Sequence, residues 1–179
     1  VKYYVLMSLQ VKIIGSSHAG ANVAYNLRRD GFEGDIEIIS TESFPPYHRP
    51  PLSKDFLKGK TEKEKLTFKP AAFYADNQIT LTLDTEVLSI DRAAKTIETL
   101  EGTSAYDFLV LCTGSSPRKL NLDNADLPEV LYLRDLQDAE TIKAKLADAS
   151  HITLLGGGYI GLELASAIRE LDIEVCILE

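Results

Sequence analysis

The sequence predicts an α/β fold: a three-layer domain around a parallel sheet, carrying a small antiparallel excursion, followed by a second strand–helix–strand domain that stops incomplete. Three observations point there. A strand, a glycine turn, a helix and a strand succeed one another over residues 11–39, and the same succession returns over 152–178. Between them lie short alternating segments separated by turn dipeptides, the mark of antiparallel strands. The composition suits a packed chain: 179 residues, 45% apolar and 26% charged.

The elements follow in order. Val11-Lys12-Ile13-Ile14 is a short apolar strand ending at Gly15, and a helical pattern with Val23, Ala24 and Leu27 on one side comes after it. Asp30-Gly31-Phe32-Glu33-Gly34 stops the helix, and Ile36-Glu37-Ile38-Ile39 is the next strand. Four prolines stiffen the loop from Phe44 to Pro51. Short helices are expected over 52–57, with Ser53 as cap, and over 70–77. Strands are expected over 79–83, 87–90, 96–100 and 106–112, joined by Asp91-Arg92 and Glu101-Gly102 turns. A helix over 135–148 precedes the second unit, in which the strand 152–155 runs into Gly156-Gly157-Gly158, a helix with Ile160, Leu164, Ile168 and Leu171 at helical spacing, and the strand 173–178.

Charge and cysteine usage exclude several classes. Nineteen Lys and Arg against 27 Asp and Glu leave a net charge of −8, against nucleic acid as a partner. The one basic run, Lys58 to Lys65, is broken by Glu62 and Glu64 and reads as a solvated face. No apolar run approaches the ~20 residues that span a bilayer, so no membrane partner is expected. Val1 to Met7 lacks the form of a secretory signal; Met7 is read as the natural start and residues 1–10 as an N-terminal extension. Cys112 and Cys176 make no C-x-x-C pair and read as small hydrophobes, so neither a metal site nor a disulfide is expected and the protein reads as cytoplasmic.

The glycine turns carry chemistry. In G-x-G-x-x-G between strand and helix, the first glycine makes the turn, the second admits a pyrophosphate and the third lets helix and strand pack, while the helix N-terminus faces the anion. Gly156, Gly158 and Gly161 complete this pattern. Glu179, about 20 residues on, ends the next strand, where a carboxylate accepts from ribose hydroxyls and repels a 2′-phosphate, favouring NADH. The first copy keeps Gly15 and Gly20 but has Ser17 in the middle, whose hydroxyl can donate to a phosphate; Glu42 stands where the ribose carboxylate belongs. His18 is given no chemistry. Two such turns suggest two dinucleotides, and hydride passing between a nicotinamide and a flavin is the simplest chemistry using both.

Pro46-Tyr47-His48-Arg49-Pro50-Pro51-Leu52-Ser53-Lys54 resembles the signature of FAD-dependent ferredoxin, rubredoxin and putidaredoxin reductases, within the pyridine nucleotide-disulfide oxidoreductase superfamily. Apoptosis-inducing factor and monodehydroascorbate reductase are similar there. Leu109-Val110-Leu111-Cys112-Thr113-Gly114 resembles that superfamily's second FAD motif, with Cys112 where alanine is usual; Tyr132-Leu133-Arg134 and the stretch Gly156 to Glu163 match as well. The resemblance implies an FAD/NAD(P)-binding Rossmann-like three-layer domain over 11–118 and the start of an NADH-binding domain over 119–179. It implies FAD contacts at Gly15, Ala19, Gly20, Glu42, Arg49, Lys54, Val87, Thr113, Gly114 and Arg134, with Thr41 competing with Glu42 for the ribose. Tyr159 and Ile160 join the NADH set with Gly156, Gly158, Gly161 and Glu179. Lys54 would lie near flavin N5, paired with Glu163 beside the nicotinamide, and these two are the residues on which the chemistry is expected to rest.

The activity so implied is electron transfer from NADH through FAD to a small iron–sulfur acceptor of ferredoxin or rubredoxin type. Residues 40–60 contain no cysteine, which argues against a disulfide or peroxide acceptor handled by a protein thiol. The alternatives are a redox-sensing FAD/NADH module of the apoptosis-inducing-factor type, and an inactive fragment. Members of the resembled family continue well beyond a length like this, so the sequence is expected to be the N-terminal portion of such a reductase.

Overall fold

The computed structural model describes residues 8–179. The expected start at Met7, and the 1–10 extension as far as residue 7, lie outside the described residues. Two compact units are present: one holds the residues up to Tyr47 with Thr67–Gly114, the other His48–Leu66 with Ser115–Glu179.

The first unit runs β1 (Gln10–Ile14), α1 (His18–Arg29), β2 (Asp35–Ile39), α2 (Ala71–Asp76), β3 (Ile79–Thr82), β4 (Ser89–Asp91), β5 (Thr96–Thr99), β6 (Gly102–Ala105) and β7 (Phe108–Leu111). A parallel sheet of order β3-β2-β1-β7 puts Ile13 beside Ile38 and Val110. Strands buried in a parallel sheet need near-continuous apolar runs, and the isoleucines of β1 and β2 supply them. One face of the sheet packs Val11, Ile13, Ile36, Ile38 and Ile79 against Ala24 of α1 and Tyr74 of α2. The alternate register positions carry polar groups: buried Lys12 is ion-paired with Glu37, which also accepts from Thr82 Oγ1 at 2.6 Å. The Arg28 guanidinium donates to four backbone carbonyls, those of Phe32, Gly34, Asn77 and Gln78, at 2.6 to 2.7 Å. It ties the end of α1 to the end of α2.

Between the parallel strands, β4, β5 and β6 form a separate antiparallel sheet. The strand expected over 106–112 is really the last of two. β6 turns back on β5, pairing Thr99 with Gly102, before β7 joins the parallel sheet. Thr103, Ser104 and Ala105 carry no apolar alternation, so that pairing depends on the turn rather than on burial. Val87 and Leu88 precede β4 instead of forming it.

The second unit holds α3 (Leu136–Leu146), β8 (His151–Leu155), α4 (Tyr159–Arg169) and β9 (Glu174–Leu178). β8 and β9 pair in parallel from His151 beside Glu174 to Leu155 beside Leu178. Leu57, Leu146, Ala167, Ile168 and Ile173 form its core. The helix expected over 52–57 is a 3₁₀ turn, Pro50–Ser53, and Ser53 ends it rather than capping a helix. Pro50 and Pro51 supply no N–H groups and fix φ, which favours the tighter turn. The basic run is an ion-paired face: Lys58 Nζ meets Glu170 at 3.0 Å and Asp55 at 3.4 Å, Lys60 meets Glu170 at 3.0 Å and Lys63 meets Glu140 at 3.3 Å. Both cysteines are free thiols; Cys112 borders the first core and Cys176, expected to pack, is exposed on β9. Among the described residues no helix is long and apolar enough to cross a membrane.

Candidate functional site

The two glycine turns have the same geometry, one in each unit. Gly15 has φ +108° and its N–H donates to the Ile39 carbonyl at 2.8 Å; Gly156 has φ +105° and its N–H donates to the Leu178 carbonyl at 2.8 Å. A left-handed φ admits glycine at little cost. A Cβ on Gly20 would stand 1.9 Å from the Gly15 carbonyl oxygen, and one on Gly161 would stand 2.2 Å from that of Gly156. The third glycine therefore lets the helix close down on the turn.

The middle position differs in kind. Ser17 and Gly158 are the N-caps of α1 and α4, with extended backbone at φ −76° and −67°. A Cβ on Gly158 meets nothing within 4 Å. Neither fold nor φ requires glycine there, so serine in the first copy leaves the turn intact. What a side chain would occupy is the open space before the helix end.

The helix N-termini fit a phosphate. Neither α1 nor α4 has an N-cap side chain hydrogen-bonded to it or an acid in its first turn. In α3, by contrast, Asp135 accepts from the Asp138 N–H at 2.9 Å and Asp138 reaches back in a capping box. A helix end without acid keeps its partial positive charge for an anion.

Around the first turn, Ser16 and Ser40, both buried, share a hydroxyl hydrogen bond at 2.8 Å, and the Glu42 N–H donates to Ser40 Oγ at 3.2 Å. Buried Tyr47 donates to Glu42 Oε2 at 2.5 Å, while Thr41 is exposed. Strand register makes Ser40 the counterpart of Glu179, each following the strand carbonyl that accepts from the first glycine. Ala19 is exposed in the first turn of α1, where His18 packs edge-on against Phe68 with ring centres 4.5 Å apart. Thr113 and Gly114, φ +69°, follow β7, and the carbonyl of Cys112 lies against Gly15. Burial pushes the Cys112 thiol up, away from reactivity. Val87, half-buried, lies just past Thr85, whose N–H donates to the Ser40 carbonyl at 2.8 Å.

Around the second turn, the Glu179 carboxylate accepts from the Gly157 N–H. Tyr159 and Ile160 are exposed at 92% and 58% in the first turn of α4, so they are available to a ligand rather than spent in the core. Lys54 Nζ lies 3.2 Å from Glu163 Oε1, and the Ser53 hydroxyl donates to Glu163 Oε2 at 2.9 Å. The Ser53 hydroxyl first, then the Lys54 ammonium, hold the Glu163 carboxyl below its ordinary value. Arg49 Nη1 donates to the Arg134 carbonyl at 2.8 Å.

Gly15, Ser17, Gly20 and Glu42 thus gather at one turn, and Gly156, Gly158, Gly161 and Glu179 at the other. Lys54 meets Glu163 and Arg49 meets Arg134, within the second unit. Sequence reasoning missed the Ser16–Ser40 pair, the Tyr47 hold on Glu42 and Ser53. Tyr47 and Ser53 lay inside the proline-rich motif and Ser16 inside the first glycine turn, whereas Ser40 lay in no motif.

The chain is similar to known proteins in family, sequence and fold. The profile described as pyridine nucleotide-disulphide oxidoreductase matches residues 9–179. The rubredoxin-NAD(+) reductase of Pseudomonas putida is 40% identical over 172 residues, 96% of this chain and 45% of that protein. A crystal structure of a ferredoxin reductase from Rhodopseudomonas palustris superposes with TM-score 0.90 at 40% identity, covering 94% of this chain and 42% of that one. A crystal structure of the covalent putidaredoxin reductase–putidaredoxin complex gives 0.89 at 37% identity, covering 95% of this chain and 42% of that one. The chain therefore spans less than half the length of each.

Proposed function

The chain belongs to the pyridine nucleotide-disulphide oxidoreductase family, and from that premise we propose that the protein passes electrons from NADH through FAD to a small iron–sulfur or rubredoxin-type acceptor. The observation carrying this reading is the duplicated turn: the same φ, the same closing hydrogen bond and the same close helix approach in two units. Relatives named as rubredoxin and putidaredoxin reductases support the acceptor class. We assign FAD to residues 11–118 and NADH to 119–179, with 48–66 contributing although it packs in the second unit. The two free thiols are in keeping with a cytoplasmic setting.

Bound FAD would supply the exchange between a two-electron donor and a one-electron acceptor. The chain's own part is binding and charge. The N-terminal ends of α1 and α4 take the pyrophosphates, with Gly15, Gly20, Gly156 and Gly161 letting each helix close down on its turn and the open space before Ser17 and Gly158 left for the phosphates. Glu42 and Glu179 accept from ribose hydroxyls, and Glu179 disfavours a 2′-phosphate by charge. FAD contacts are assigned to Ala19, Thr41, Val87, Thr113 and Gly114 of the first unit, and Arg49 and Arg134 of the second are assigned to the same cofactor. Lys54, oriented by Glu163, supplies the cation that favours an electron-rich ring.

The test is an anaerobic titration of the FAD-loaded protein. NADH should bleach the flavin absorbance faster than NADPH, and an oxidised ferredoxin or rubredoxin should restore it. A protein that takes up FAD but is not bleached by NADH, or is bleached without passing electrons on, contradicts the proposal.

A further inference from the structure

Lys54 and Glu163 form an exposed pair, with side chains 49% and 40% accessible. Such pairs hold their geometry poorly, because solvent screens them and both chains are long. Something else must set the direction of the carboxylate if the pair is to matter. Ser53 is in place to do it. The residue is buried at 6% accessibility, at the end of a 3₁₀ turn that begins with two prolines, so its own backbone has little freedom. Its Oγ stands 2.9 Å from Glu163 Oε2 and 3.5 Å from the Pro50 carbonyl oxygen. One hydroxyl has one proton to donate, and the nearer, charged acceptor takes it. The two carboxylate oxygens are thereby divided: Oε2 belongs to Ser53 and Oε1 is left to Lys54.

We propose that Ser53 is a positioning residue: by clamping Oε2 of Glu163 it aims the other carboxylate oxygen, and with it the Lys54 ammonium, for the electron transfer proposed above. The role rests on that functional reading but is separable from it. The clamp needs an ionised Glu163. Once the carboxyl is protonated, the hydroxyl has a weaker acceptor there and can turn to the Pro50 carbonyl, so the clamp opens as pH falls through the Glu163 titration. The lowered proton affinity of Glu163, with Ser53 as its largest cause, is in keeping with this.

The experiment uses the 179-residue chain with 13C-labelled glutamate carboxyls, the Glu163 signal being assigned by its loss in Glu163→Gln. Ser53→Ala should raise the Glu163 titration midpoint toward the ordinary carboxylate value, and Ser53→Thr, which keeps a hydroxyl, should restore it. Circular dichroism of each variant confirms that it is folded. An unmoved midpoint in Ser53→Ala, or an equal displacement in Ser53→Thr, overturns the clamp. In the FAD-loaded protein, Ser53→Ala should slow flavin reduction by NADH roughly five- to tenfold with the NADH concentration dependence unchanged. A shifted midpoint with an undiminished rate overturns the positioning role. If the wild-type protein is not reduced by NADH at all, the functional reading fails, and with it the role in transfer, while the titration still decides the clamp.

Discussion

The middle and last glycines of the second turn should fail in opposite ways when given a single methyl group. In Gly161→Ala the new Cβ would lie 2.2 Å from the Gly156 carbonyl oxygen, which is backbone and cannot rotate away. The first turn of α4 must then back off by about 1 Å, the overpacking case that costs roughly 1–3 kcal/mol, partly offset by up to ~1 kcal/mol of helix propensity. The net loss, about 1–2 kcal/mol, lowers the melting temperature by roughly 2–8 °C in a chain of this size. In Gly158→Ala the Cβ meets nothing within 4 Å and φ is −67°, so strain is absent. Losing a good N-cap residue and stiffening the unfolded chain are each worth under ~1 kcal/mol and oppose one another, so stability should hardly change. NADH affinity should nevertheless fall about tenfold, because the methyl occupies the space a pyrophosphate needs. Thermal unfolding and NADH titration of the two variants separate fold from function. Equal melting of both variants, or unimpaired NADH binding by Gly158→Ala, refutes the reasoning.

Further expectations concern the fold's polar fastenings. Arg28→Met removes the donor to four backbone carbonyls and should lower the urea-unfolding free energy by roughly 2–3 kcal/mol, with Arg28→Lys recovering only part, since an ammonium lacks the planar fork. Lys58 and then Lys60 hold the Glu170 carboxyl below its ordinary value, so the unfolded chain binds its proton more readily. The stability Glu170 contributes is therefore present above ~4.5 and lost as pH falls through its lower native value, and Glu170→Gln should flatten that part of the urea midpoint against pH. Burial pushes the Tyr74 hydroxyl up to about 12, so the folded state holds this proton more tightly than the unfolded one. Its contribution is complete below ~10 and lost as pH rises from there toward 12; Tyr74→Phe should move the onset of alkaline unfolding, followed by circular dichroism, to higher pH.

Both strand–turn–helix–strand units were legible because their signals are local. Isoleucine runs mark strands buried on two faces, and a glycine held at φ above +100° or against a backbone oxygen admits no other residue. The same physics made the turns readable as phosphate cradles. β6 was not legible, because Thr103 to Ala105 bury little and pair only through their turn. The 3₁₀ turn at Pro50–Ser53 was misread as the start of a helix, because the backbone leaves helical geometry at Lys54, φ −127° and ψ −112°, a break that the residues from Leu52 to Leu57 do not announce. The site's fastenings were hidden for another reason. Ser53 and Glu163 lie 110 residues apart, and Ser16 finds Ser40 only once β1 and β2 are in register, so no spacing rule connects them.

Assigned backbone amide spectra with each nucleotide added in turn test the account most directly. FAD should shift the amides of residues 15–20 and NADH those of 156–161. Shifts confined to one turn for both ligands, or absent from both turns, contradict the claim that the repeated geometry makes two dinucleotide cradles.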